Sequence, residues 1–167
     1  SKHKLCIFVS KDDISFLVKM GDSTYINRTR GIKVELPESI IKNAQILDNA
    51  LNDIKVCAPA IGSGAFPVGM MNEIVRARAS LNEAIGQPNR FTYELKRNAI
   101  ENSIYGVDID AGAVDIAKLR FWLSLVVDEE DIKNIKPLPN LDYKIMQGNS
   151  LITSYEGIDF DEIVANQ

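Results

Sequence analysis

The chain has 167 residues, 46% apolar and 25% charged, a length and balance that suit one globular domain with a sizeable core. No apolar run reaches membrane-spanning length, and Leu5 to Val9 is too short for a signal-peptide core, so a soluble cytoplasmic protein without membrane contact is expected. The formal charge of -4 argues against a surface built by itself to grip a phosphate backbone.

The cysteines Cys6 and Cys57 lie in apolar runs without metal-ligand spacing, so reduced core thiols and no metal site are expected. Residues 1–36 carry little readable chemistry. Leu5 to Val9 reads as a strand, Ile14 to Met20 as a short helix, and His3 as a solvated terminal residue. From Pro37 the pattern firms: Ile40, Ile41, Ala44, Leu47, Ala50 and Leu51 recur at helical spacing behind a Pro-Glu start.

The apolar run Ile54 to Cys57 then stops at the turn Gly62-Ser63-Gly64, and a helical pattern opens directly after it. A strand, a glycine turn and a helix in that order let the backbone approach a ligand and point free helix N–H groups at it. A dinucleotide fingerprint fails, because Pro67 stands where its third small residue belongs and no acid ends a second strand about 20 residues on. That weakens a nicotinamide-dependent oxidoreductase. A phosphate-binding loop fails for want of a following lysine. A tight strand-to-helix turn with no ligand is the plainer alternative.

Beyond the turn, Pro67 suits a first helical turn, and Val68, Met71 and Val75 form one apolar stripe beside Phe66, Met70 and Ile74. The methionines read as core filling. Gly86 to Asn89 marks a loop, and Thr92 to Asn102 a further helix. Ser103 to Asp110 is the second strand, and its carboxyl end should lie beside the glycine turn in an open parallel sheet. We assign Asp110 to the cap of the next helix and Asp108 to a ligand's vicinal hydroxyls. Ala113 to Val127 is helical and apolar enough to imply burial on more than one side, with Trp122 in the core. A charged connector, Asp128 to Lys136, leads to a stiff turn at Pro137 to Asn140. Tyr143 to Gln147 is the third strand, ending at Gly148-Asn149-Ser150, and Phe160 to Asn166 the fourth. The fold class is therefore α/β, a partial parallel sheet with flanking helices and right-handed crossovers.

With all the strand ends in view, the chain resembles the adenine-specific DNA methyltransferases of type II restriction-modification systems, especially the single-chain enzymes that join nuclease, methyltransferase and target recognition. APAIGSGAF is similar to their cofactor motif D-P-A-x-G-S-G-x-F, GVDID to the acidic loop after the second strand, and GNSL to the segment after the third. The resemblance covers about residues 54 to 166. It implies a Rossmann-like fold of the class I S-adenosylmethionine-dependent methyltransferases, with 37–167 as the cofactor-binding half and 1–36 as a preceding segment. It further implies that Ala60, Ile61, Gly62, Ser63 and Gly64 wrap S-adenosylmethionine with Phe66 at the pocket edge. Asp108 would hold the ribose hydroxyls, Ile109 would pack on the adenine ring, and Asn149 would meet the adenine edge. Asn166 would begin the catalytic motif N-P-P-Y/F, which acts on an adenine flipped out of double-stranded DNA.

Three positions depart from the pattern. Ala58 replaces the acid before the first proline, the upstream Tyr-Thr-Pro segment has no match at Gly31 to Pro37, and Gln167 follows Asn166 where proline belongs. The expectation is a fragment cut at the catalytic motif and inactive alone, whose exposed edge at 160–165 favours self-association. A methyltransferase-like scaffold without catalysis is the alternative.

Overall fold

The computed structural model describes residues 9–19, 36–127, 137, 139–156 and 158–159. Helix α1 covers 11–19, its start marked by the Ser10 hydroxyl accepting from the Asp13 N–H at 3.0 Å. Helix α2 (Glu38–Lys42) follows Pro37, with an acid in its first turn and a lysine in its last, as the helix dipole favours. Helix α3 (Ala44–Asn52) leads into β1 (Val56–Ala58). After the glycine turn come α4 (Ala65–Ser80), α5 (Thr92–Asn102) and β2 (Ile104–Asp108). Helix α6 (Ala111–Val126) is capped by Asp110, whose carboxylate accepts from the Gly112 N–H at 2.8 Å, as the sequence led us to expect. Strand β3 (Ile145–Gln147) precedes a short antiparallel pair, β4 (Ser154–Tyr155) with β5 (Ile158–Asp159).

β1, β2 and β3 form a parallel sheet in that order, in a register that places Ala58 beside Gly106 and Asp108 beside Gln147. Helices bridge each crossover, so the loops after all three strands leave from one end. One face of the sheet is buried: Val56, Ala58, Ile104 and Ile145 pack with Met71, Ile74 and Val75 of α4 and Phe121 and Leu125 of α6. A second cluster joins Val9 and Leu17 to Ile40, Leu47 and Ala77, so the α1 region shares a core with α2 to α4. Among the described residues no helix is long and apolar enough to cross a membrane.

Three expectations are corrected. Cys57, taken for a core thiol, is exposed, because alternation along β1 turns it to the sheet face opposite Val56 and Ala58. That second face also carries Met146, which is exposed, and the Tyr105 ring, 4.4 Å beneath the Lys144 ammonium. Helix α6 buries only Val114, Ala117, Phe121 and Leu125. Its opposite side shows Ile116, Leu119 and Leu123 to solvent, and Trp122 stands partly exposed between the two, since α6 meets described neighbours on one side only. Tyr143 lies outside β3 and is exposed. The strand expected at Phe160 to Asn166, and the readings of His3, Cys6 and 128–136, fall outside the described residues.

A buried ionic cluster ties the helices together. The Asp48 carboxylate on α3 accepts from Arg78 Nε at 2.9 Å and from both Arg90 terminal nitrogens at 2.8 Å. The buried Asn82 exchanges hydrogen bonds with Arg90, donating to its carbonyl and accepting from its Nε. Burial by itself would raise the Asp48 pKa, but the hydrogen bonds and charges of Arg90 and Arg78 outweigh it and hold the carboxyl below its ordinary value. A depressed carboxyl stabilises the fold above its unfolded pKa, and that stability is lost as pH falls through the folded value. Asp48→Ala, which strands two guanidinium groups, should destabilise the chain by about 3–5 kcal/mol in urea unfolding at neutral pH. The deficit should shrink as the parent is acidified below about pH 4.

Candidate functional site

The three parallel strands bring their carboxyl-end loops together, and backbone groups lock them. The Ile61 N–H donates to the Val107 carbonyl at 2.9 Å, and the Gly148 N–H donates to the Asp108 carbonyl at 2.8 Å. Between them the Gly62 N–H donates to Asp108 Oδ2 at 2.7 Å. Gln147 Nε2 donates to the Ile109 carbonyl at 3.1 Å, joining β3 to the loop after β2.

The turn depends on two left-handed residues, Gly62 at φ 53° and Gly64 at φ 76°, a region costly for any residue with a Cβ. The Gly64 N–H closes the turn on the Ile61 carbonyl at 3.0 Å, and Gly64 then caps α4 without a side chain. The N–H groups of Ala65 and Phe66 in the first turn of α4 have no acceptor among the described residues and can meet solvent or a ligand.

The residues singled out from the sequence occupy this one end of the sheet, with one outside the described residues. Ala60, Ser63, Phe66, Ile109 and Asn149 are exposed, Gly62 and Asp108 half-buried. Gly64 and Ile61 are buried: Ile61, at 5% exposure, turns its side chain into the core, so only its backbone borders the turn. Asn149 Oδ1 accepts from the Leu151 N–H at 3.0 Å, which ties its side chain to the loop after β3. Asn166 lies outside the described residues. Among the described residues no cluster of His, Cys, Asp or Glu could hold a metal ion.

The backbone N–H groups of Asp110 and Gly62 donate to the Asp108 carboxylate, at 3.1 and 2.7 Å, and hold its pKa below the ordinary value, so it stays anionic at neutral pH. A half-buried anion beside the exposed side chain of Ile109 and a turn without side chains at Gly62 is suited to hydroxyls flanking a flat apolar ring. Ala58, where the family pattern has an acid, faces the core at 5% exposure.

Sequence reasoning passed over Gly106, Ala117 and Gln147. Gly106 is where Ile61 rests, Ala117 is where Gly64 leans against α6, and Gln147 holds Ile109. A lone glycine within a strand pattern signals close approach of another chain segment, and Gly106 carried that signal. A Cβ on Gly64 would stand 3.0 Å from the Ala117 Cβ, whereas one on Gly62 would meet open space. Gly64→Ala should thus cost about 1–3 kcal/mol of stability and Gly62→Ala only the left-handed strain of about 1–2 kcal/mol, compared by chemical denaturation.

Comparison with known proteins gives two similarities. Residues 102–166, which include β2, α6 and β3, match the family described as Eco57I restriction-modification methylase. A protein of Methanocaldococcus jannaschii named as a type II restriction enzyme and methyltransferase is 37% identical over 119 residues, 68% of this chain and 10% of the relative. The chain thus spans about a tenth of that relative's length. No solved structure gives a significant match. Over residues 102–166 the chain is similar to the Eco57I restriction-modification methylase family.

Proposed function

We propose that the glycine turn and Asp108 form the S-adenosylmethionine site of a DNA methyltransferase that modifies the exocyclic amine of adenine, as part of a cytoplasmic restriction-modification enzyme. The observation that carries this reading is the Gly62 N–H bound to an ionised Asp108 beside the exposed Ile109. The residues present fit the cofactor: Gly62 leaves open space where a side chain would stand, and the acid and the apolar side chain border it.

Asp108 would accept from the two ribose hydroxyls, Ile109 would pack on the adenine ring, and the Asn149 amide would donate to that ring's edge. Gly62, Ser63 and the start of α4 would face the methionine portion, with Phe66 at the rim. When bound, S-adenosylmethionine supplies an electrophilic methyl group on a positively charged sulfur. Asn166 would accept from the target amine and leave its nitrogen lone pair free to attack, on a base held outside the duplex. Contacts with double-stranded DNA would come from other parts of the enzyme, since the negative net charge of this chain disfavours them.

A second reading, a methyltransferase-like scaffold, is favoured by one observation, Ala58 in place of the acid. Calorimetric titration of the 167-residue chain with S-adenosylmethionine separates the two. The methyltransferase reading expects saturable uptake, and Asp108→Ala weaker by about 1–3 kcal/mol, the cost of leaving polar groups unpaired. No uptake by the parent or by Ala58→Asp would favour the scaffold. Equal affinity in Asp108→Ala would remove that acid from the site.

A further inference from the structure

The Gly62-Gly64 turn is held by more than hydrogen bonds. Ile61, the residue before it, buries its side chain directly over Gly106 in the middle of β2. A Cβ built on Gly106 would collide with Ile61 Cδ1 and would lie 3.0 Å from both Ile61 Cβ and Cγ1. Rotating Cδ1 away would not relieve the conflict, because Ile61 Cβ moves only with its own backbone. That backbone is the turn itself: the Ile61 carbonyl accepts from Gly64, and the next N–H, of Gly62, reaches Asp108 two residues along the strand from Gly106.

We propose that Gly106 and Ile61 are positioning residues for the ligand site, a seat that sets the height of the glycine turn over β2 and so aligns Gly62 with Asp108. Gly106 has no side chain, and that of Ile61 is buried in the core, away from the ligand end. The turn sits low enough to meet the acid only because β2 has no side chain at that point, and Ile61 fills the resulting hollow. The proposal rests on the cofactor reading above for its consequence in binding, but its structural half stands without any ligand.

The test uses the full chain in three forms: parent, Gly106→Ala, and Gly106→Ala combined with Ile61→Ala. Two measurements are made on each, titration with S-adenosylmethionine and the amide proton shift of Gly62 by NMR. Gly106→Ala should lift the turn, move the Gly62 amide proton upfield as its bond to Asp108 lengthens, and weaken uptake about ten-fold or more. Removing the Ile61 branch should restore part of both, which a simple loss of strand stability would not do. Ile61→Val, which deletes only Cδ1 and introduces no clash, probes the same contact if Gly106→Ala does not fold, with a smaller loss of uptake and a smaller amide shift expected. An unmoved Gly62 amide and unchanged uptake in Gly106→Ala, or in Ile61→Val where that variant is needed, would overturn the proposal. A parent chain that takes up no S-adenosylmethionine would count against the cofactor reading alone, and the Gly62 amide shift would then decide the positioning claim.

Discussion

The short bond from the Gly62 N–H to Asp108 is the constraint on which this end of the molecule depends. A backbone donor to a carboxylate is stronger than a bond between neutral groups, and here it spans the gap between two crossover loops. Around it the Ile61 and Gly148 N–H groups find carbonyls on β2, so the second strand supplies acceptors to both its neighbours. The acid that is the best candidate for ligand contact is thus also a structural tie. Its bonds to two backbone N–H groups, those of Asp110 and Gly62, keep it charged although it is half-buried.

Stability and site are held by different parts of the chain. The buried Asp48 cluster sits toward the far end of α4 from the glycine turn and links α3, the end of α4 and the loop before α5. Among the described residues its members make no polar contact with the ligand end. Removing one partner of such a cluster is costly because the remaining charges stay buried, whereas the site itself is built from exposed groups and backbone. A variant at one end can therefore change how firmly the chain folds while leaving the cradle's chemistry as it was.

Much of the site was legible in the sequence because its parts are local. The glycine turn, the acid pair Asp108 and Asp110, and the assignment of Asp110 to the helix cap each rest on residues a few positions apart. The contacts that were not legible join residues distant along the chain. Nothing near Asp48 announces Arg90, and nothing in the turn says that Ile61 will rest on Gly106. Composition was also a poor guide where only one side of an element has a neighbour. The apolar residues of α6 and β1 suggested burial on both sides, and the described residues cover one.

The exposed thiol of Cys57 gives that uncovered side a use. It belongs to β1, one residue from Ala58 and on the sheet face away from α4 and α6, so a reporter group attached there would not enter the cradle. Being anchored in a strand rather than a loop, it would move only when the sheet itself moves or when something settles on that face. The strand that leads into the glycine turn thereby carries its own observation point, chemically addressable and sterically separate from the ligand end.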